Sequence, residues 1–227
     1  MSACCVGGPK IGLVVALVGA AAVGGYVLSG RTVAPSSPEA GIQHTALAQP
    51  GDEMWAAWEK ASTPGENHKH LEYFVGTWTV QVKAWMDPTQ TEPNVSTGTM
   101  TTRWVHEGRY LMSDYKGSFA MDPSQPAQPF TGTAIQGYNN LSGQFENVWI
   151  DSMNTAMGVT KGTFDAASKT FTFNGECLFP AGDEPIVVKG RETTKIVSPN
   201  SYVSTMYQTM PGAPETKAME LTFTRQR

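Results

Sequence analysis

The chain has 227 residues, of which 40% are hydrophobic and 16% are charged, enough for one folded domain with appended segments. The formal net charge is −4 and no basic stripe interleaved with aromatic residues is present, which argues against nucleic acid as a partner. Of the three cysteines only Cys177 lies beyond the N-terminal region, which excludes a disulfide within the domain.

The N-terminal region contains an apolar run, Ile11 to Leu28, of 18 residues without a charge. As a helix rising ~1.5 Å per residue, this run would cover about 27 Å, close to the thickness of the hydrocarbon core of a bilayer. The same composition is typical of the hydrophobic region of a signal peptide. Residues 1–30 are therefore predicted to be a signal peptide or a single transmembrane anchor, with residues 11–28 as the membrane contact. The domain that follows is expected to be exported or membrane-anchored, and extracytoplasmic.

Two kinds of segment are predicted between the apolar run and the first strand. Residues 31–51 are rich in Pro, Ser, Gly and Ala and lack periodicity, which predicts a flexible linker. Two short helices follow, from Asp52 to Ser62 and from Glu66 to Phe74, with a break at Thr63-Pro64-Gly65. Residues 52–227 are accordingly predicted to be the folded domain.

From Gly76 the hydrophobic period changes from that of a helix to two, which is typical of β-strands. The first predicted strand ends at Ala84 and carries Trp78, Val80 and Val82 on one face. Prolines fall almost wholly between the segments, as expected because proline cannot donate to a strand ladder. The other predicted strands are Val95–His106, Arg109–Ser118, Phe130–Asn139, Gly143–Asp151, Thr155–Asp165, Lys169–Phe179, Pro185–Val197, Ser201–Met210 and Thr216–Arg225.

About ten consecutive strands joined by short connections form a meander. Closure of such a meander removes its two exposed edges, so the predicted fold is all-β, a ten-stranded antiparallel up-and-down barrel with a short helical lead-in. Glu107-Gly108 is expected to close a tight hairpin between His106 and Arg109. A β-sandwich is the alternative that periodicity alone leaves open.

Several motifs along the domain occur together in one known family. In chain order they are WEKASTPGENHKHLEYFVGTWTVQVKAWMDP, GRYLMSDYKGSF, PFTGTAIQGYNN, VWIDSMNTAMG, GTFDAASKTFTFNGE and MELTFTR. Through them the chain, from about residue 52 to residue 225, resembles the bacterial domain-of-unknown-function family 1579. The resemblance implies a lipocalin-like, calycin-type barrel without an established activity. The family pattern has Tyr-Asp-Asn where this chain has Tyr138-Asn139-Asn140, and Asn is expected to serve the same turn.

The residue patterns do not support a catalytic or metal-binding motif. His68, His70 and Glu72 form a His-x-His-x-Glu, but residues two apart on a helix do not share a face, which predicts a solvated charged face. No nucleophile elbow, phosphate loop or zinc-ligand spacing is present, so no catalytic residue, metal or cofactor is predicted. Cys177 is predicted to be a small buried residue on a strand.

Aromatic residues lie on five of the predicted strands, with polar residues on or near the same elements. The interior of a ten-stranded barrel is wide enough to leave space between side chains, and inward aromatics with a few polar groups suit an amphipathic ligand. Core packing is the alternative role for each of them. The candidate ligand-binding residues are Trp78, Trp104, Arg109, Tyr110, Tyr138, Trp149 and Asp151.

The predicted function is that of an exported or membrane-tethered barrel that binds a small amphipathic or hydrophobic molecule. One alternative is an enzyme acting on a small molecule in the same cavity, which would show polar groups with perturbed pKa values inside the barrel. The other is an interaction module with a filled barrel and a binding surface on its exterior. Alternation does not show which face of the strand Gly143–Asp151 points inward, because both faces mix polar and apolar residues.

Overall fold

The computed structural model describes residues 51–87, 89–120 and 126–227. The predicted signal or membrane segment, residues 1–30, and all but the last residue of the predicted linker lie outside these ranges. Within the described ranges, no helix combines the length and the apolar character needed to cross a bilayer.

The lead-in consists of helix α1, Asp52–Ser62, helix α2, Glu66–Lys69, and a 3₁₀ turn, Glu72–Phe74. The second predicted helix is therefore two short pieces. The cause is the burial of His68, Leu71 and Phe74, which are three residues apart and leave at most 7% of their surface exposed. A three-residue period places such side chains on one face, and the backbone follows it with bonds from Leu71 to His68 and from Phe74 to Leu71.

Ten antiparallel strands form a closed barrel in which each strand pairs with its sequence neighbours and β1 pairs with β10. This confirms the barrel and excludes the sandwich. The strands are β1 Gly76–Ala84, β2 Asn94–Val105, β3 Tyr110–Phe119, β4 Gln128–Asn139, β5 Gln144–Asp151, β6 Gly158–Asp165, β7 Thr170–Ala181, β8 Glu184–Ser198, β9 Ser201–Thr209 and β10 Thr216–Arg225.

The turn between β2 and β3 confirms the predicted tight hairpin. Arg109 donates its backbone N–H to the carbonyl of His106 at 3.3 Å, and three consecutive residues have positive φ, 50° at His106, 58° at Glu107 and 82° at Gly108. Positive φ at Glu107 and Gly108 is typical of a type I′ turn, and the further positive φ at His106 ends the strand pairing one residue earlier than predicted, at Val105 and Tyr110.

The barrel end beneath α2 and the 3₁₀ turn is filled with aromatic rings, and we call it the sealed end. Tyr202 lies at its centre, with ring centroids 4.1 Å from Phe223, 4.8 Å from Trp78 and 5.0 Å from Phe74. Phe171 packs beside Phe74 at 5.5 Å. The end is closed because the lead-in inserts Phe74 between residues carried by the strands.

The residues Gly76, Trp78 and Arg225 lock this end together. The Trp78 indole N–H donates to the carbonyl of Phe74 at 2.8 Å, and the Arg225 guanidinium lies 4.0 Å from the centre of the Trp78 ring. The same guanidinium donates to the carbonyls of Tyr73 and Val75, each at 2.6 Å. Gly76 has a φ of 123°, and a Cβ there would lie 2.8 Å from Arg225 Nη1, so the position requires glycine.

Candidate functional site

The barrel interior next to the sealed end contains a cavity of about 140 Å³. Side chains from the lead-in and from every strand except β6 line it. The aromatic part of the lining is Phe74, Tyr115, Phe119, Phe130, Trp149, Phe171, Phe173, Tyr202 and Phe223, and the methionines are Met100, Met206 and Met219.

Small polar side chains keep this space open. They are distributed around the lining: Ser96, Thr102, Ser113, Ser118, Thr194 and Ser204. Each has an inward position that a large apolar residue would otherwise fill. Several bond to one another across strands, with oxygen–oxygen distances of 2.8 Å for Thr102 and Ser113 and 2.6 Å for Thr194 and Ser204. The lining therefore offers hydroxyl groups that are already held in place.

Glycines in strand interiors let two large rings lie against the wall. A Cβ at Gly98 or Gly117 would collide with the Tyr115 ring, and a Cβ at Gly132 would collide with the Trp149 indole. Glycine within a strand often marks such a close approach. Because the rings occupy the space above these glycines, they leave the centre of the barrel free.

Glu192 on β8 is the carboxyl group of the lining. Its Oε1 accepts a hydrogen bond from Thr194 Oγ1 at 3.1 Å, and Thr194 bonds in turn to Ser204. Glu192 retains some accessible surface because it faces the cavity rather than bulk solvent. Burial in the barrel raises the pKa of this carboxyl, and the two hydroxyls oppose that rise.

Two carboxamides lie on another part of the wall. Gln136 on β4 and Asn147 on β5 are direct cross-strand partners and both line the cavity. Among the described residues, neither carboxamide makes a hydrogen bond through its side chain. They therefore offer donors and acceptors to a molecule in the cavity.

Of the seven predicted ligand-binding residues, Trp149 lines the cavity. It also shows that the face of β5 carrying Phe145, Asn147 and Trp149 points inward, while Ile150 is exposed. Asp151 accepts the Trp149 indole N–H at 2.9 Å and the backbone N–H of Met153 at 2.8 Å, so it orients the indole and closes the following turn.

The other five predicted residues lie near the sealed end. Trp78 is fully buried there, Trp104 and Tyr138 pack against the core, and Tyr110 is 44% exposed on the exterior. Arg109 donates to the carbonyl of Ser62 at the end of α1, at 3.1 Å. A meander brings the start of each odd-numbered strand beside the end of each even-numbered one. These five residues occupy such positions, so the fold gathers them at one end rather than around the cavity.

Several lining residues that were missed from the sequence lie within strands. Tyr115 and Phe130 stand in segments where both faces mix polar and apolar residues. Phe173 and Glu192 instead lie on faces that alternation marks as mainly apolar, and they were not chosen as candidates. The available signal was the glycine pattern, since Gly98 and Gly117 mark the wall beside Tyr115. For Glu192 the available signal was alternation along β8, which places it on the face of Val188 and Ile196 and opposite the face that carries Lys189 and Lys195.

The prediction of a solvated face for the two N-terminal histidines is wrong at His68. His68 is 6% exposed, packs edge-to-face on Tyr138, and accepts the Gly65 N–H at Nδ1 over 3.0 Å. Burial, and then the nearby Arg109 charge, lower the pKa of the His68 imidazole. Its position three residues before Leu71 turns it toward the barrel.

Among the described residues, no three His, Cys, Asp or Glu side chains are grouped as metal ligands.

Two smaller predictions are confirmed. Cys177 is 9% exposed on β7, and burial raises the pKa of its thiol to about 11, which leaves it unreactive. Asn139 serves the turn expected of it, because its Oδ1 accepts the N–H groups of Leu141 and Ser142 at 2.9 and 3.2 Å.

The fold and its cavity define the class: a lipocalin-like, ten-stranded antiparallel barrel with a mixed aromatic and polar interior. Within that class, the chain belongs to the family described as "Protein of unknown function (DUF1579)", whose model matches residues 63–225. The match confirms the resemblance inferred from the motifs and begins just after α1. None of the curated proteins compared with the chain matches it.

Two solved structures are similar to the chain at low sequence identity. Rv2717c from M. tuberculosis is 12% identical, with a TM-score of 0.51 over 73% of this chain and 100% of that chain. The S-type phycobiliprotein lyase CPES from Guillardia theta is 12% identical, with a TM-score of 0.45 over 71% of this chain and 93% of that chain. At these identities the similarity concerns the barrel and not its ligand.

Proposed function

We propose that this barrel binds a small amphipathic molecule in its interior. The observation that carries the proposal is the cavity of about 140 Å³, in which aromatic rings and methionines alternate with hydroxyl, carboxamide and carboxyl groups. An apolar lining supplies most of the affinity for a small molecule, and a few convergent polar groups orient it.

The volume of the cavity limits the size of the ligand that it can hold. An engineered protein cavity of about 150 Å³ holds benzene, so a molecule with about one ring fits here without rearrangement. A larger ligand has to displace side chains, and Met100, Met206 and Met219 are the most adaptable part of the lining. The cavity also counts against the filled barrel that a pure interaction module would have.

A second candidate function, an enzyme acting on the same molecule, is favoured by one observation. Glu192 lies inside the barrel with a raised pKa and two hydroxyls in line beside it, an arrangement suited to general acid–base chemistry. To test this, the captured molecule is incubated with the protein and its mass is measured. An enzyme should change that mass, and the Glu192→Gln variant should not.

We also propose the division into a signal or anchor segment, residues 1–30, a linker, residues 31–51, and an extracytoplasmic barrel domain, residues 52–227. The support is the apolar run of 18 residues and the character of α1, which buries no residue and leaves Trp55 and Trp58 59% and 68% exposed. Tryptophan is enriched at membrane interfaces. Fractionation of cells and protease protection test this, and a full-length chain found in the cytosol would contradict it.

The ligand is tested by native mass spectrometry of the full chain, purified from cells in mild detergent. We expect an added mass that is lost on denaturation. Ala134→Leu, which places a larger side chain on the lining, should reduce the fraction of the protein that carries the added mass. Ala156→Leu makes the same change at an exposed loop position and should leave that fraction unchanged. An apo mass together with no uptake of added single-ring amphipaths would rule the proposal out.

A further inference from the structure

We infer that the ligand of the cavity is an organic amine whose ammonium group pairs with Glu192. The inference rests on the proposed function and specifies its chemistry. The lining of the cavity contains the Glu192 carboxyl and neither lysine nor arginine. Among the described residues, Glu192 forms no ion pair. A carboxylate in such a place is costly unless a cation neutralises it, and a bound ammonium would supply that cation.

The neighbours of Glu192 suit an ammonium on a short apolar group. Its direct cross-strand partners are Phe173 on β7 and Met206 on β9, both of which line the cavity. An aromatic face attracts a cation, and the methionine provides an adaptable apolar contact. Gly190, two residues before Glu192 on the same face of the strand, has no side chain to compete for the carboxyl.

The two hydroxyls beside Glu192 are compatible with this pairing. Thr194 donates to Oε1, and this donation leaves Oε2 to accept from the ligand. An ammonium has three donors, so it can bond to Oε2 and to a further acceptor in the lining. The carboxamides of Gln136 and Asn147, which have no side-chain partner among the described residues, line the same cavity and are available to other polar groups of the ligand.

The arrangement predicts an order of preference among molecules of equal size. A monocationic amine should bind best, a neutral alcohol less well, and a carboxylate worst because two negative charges would share a site of low dielectric. The matched probes are benzylamine, benzyl alcohol and benzoate, each with one ring and one polar substituent.

The experiment is calorimetric titration of the full chain in mild detergent, at pH 7.5, with each probe. We expect benzylamine to bind at least tenfold more tightly than benzyl alcohol, and benzoate to bind weakest. Glu192→Gln keeps the size of the side chain and should remove the preference for benzylamine while retaining benzyl alcohol. Glu176→Gln makes the same change at an exposed position of β7 and should retain the preference.

A second measurement uses the unaltered protein, so the test survives a Glu192→Gln variant that fails to fold. Benzylamine stays protonated between pH 5 and 7.5. Burial raises the pKa of Glu192, so this carboxyl takes up a proton at a higher pH than an exposed glutamate does. Tyr202 on β9 and Tyr115 on β3, the other titratable groups facing the cavity, stay protonated there because burial raises the pKa of each. The affinity for benzylamine should therefore decrease as the pH is lowered from 7.5 to 5, and the affinity for benzyl alcohol should stay the same.

The outcomes separate this inference from the proposed function. If benzyl alcohol binds as tightly as benzylamine, or benzoate binds best, the inference of an amine ligand is wrong, and the proposed function of ligand binding in the barrel is retained. If none of the three probes binds and the purified protein carries no added mass, both fail. A preference for benzylamine that persists in a folded Glu192→Gln variant also overturns the assignment of Glu192.

Discussion

The sealed end and the cavity are adjacent parts of the same barrel interior, built by the same ten strands, and they differ in how their space is filled. At the sealed end, Trp78, Tyr202 and Phe223 are at most 6% exposed and pack ring against ring. Around the cavity, serine and threonine side chains occupy inward positions, and Gln136 and Asn147 lack side-chain partners among the described residues.

The difference shows that strand closure alone does not determine whether a barrel is solid. The sealed end is solid because the lead-in adds Phe74 from outside the strands and because the side chains there are large. Nothing comparable enters the cavity from the described residues, and small inward side chains leave the space open. Packing at the sealed end supports stability, and the open part next to it remains available for binding.

The largest expected effect compares two tryptophans, one in each region. Trp78→Ala should lower the free energy of unfolding by about 3–5 kcal/mol, since it leaves a cavity in a fully packed site. Trp149→Ala should cost clearly less, because this ring already borders empty space. Urea denaturation of both variants measures the difference, and equal losses would contradict the contrast between the regions.

The next effect tests the lock at the sealed end. Arg225→Lys keeps the charge but cannot donate to the carbonyls of Tyr73 and Val75 with the same two-pronged geometry. We expect a loss of about 1.5–3 kcal/mol, as for hydrogen bonds that involve a charged group. Arg103→Lys is the control, because Arg103 pairs with Asp114 on the exposed exterior, where such a pair contributes about 0–1 kcal/mol. Similar losses in both variants would show that the lock is not specific.

A third prediction uses enlargement of a side chain, which should have opposite signs in the two regions. Val80→Leu adds a methylene to a site with 0% exposure and should cost about 1–3 kcal/mol. Ala134→Leu adds volume at the cavity lining and should raise the free energy of unfolding by roughly 0.5–2 kcal/mol. Chemical denaturation checks both, and a destabilised Ala134→Leu would mean that the cavity is smaller in solution.

The smallest expected effect is the pH dependence contributed by His68. Its pKa is lowered in the folded state, so the unfolded chain binds the proton first as the pH falls below about 6.5. Stability from neutral His68 is thus present above that pH and is lost as the pH falls through the lowered folded value. His68→Asn should flatten the curve in this range, as measured by thermal unfolding from pH 7.5 to 5. A constant difference between the two proteins would refute the linkage.

The ends of the strands could be predicted to within three residues, and the site could not. The ten segments and the buried face of β1, with Trp78 and Val80, follow from alternation and from the placement of prolines. Trp149 was the predicted ligand-binding residue that the cavity contains. Glu192 was missed because a carboxyl group is not expected on an inward face, although alternation along β8 places it with Val188 and Ile196.

The sequence by itself determined the local structure of this protein: where strands begin and end, the hairpin at Glu107-Gly108, and the family to which the chain belongs. These features depend on neighbouring residues, whose periodicity and turn chemistry are visible in one dimension. The tertiary structure alone decided which face of β5 points inward, and where large and small side chains meet. It thereby decided that one end is sealed by Phe74 and that the space beside it stays open, since filling depends on residues far apart in the chain.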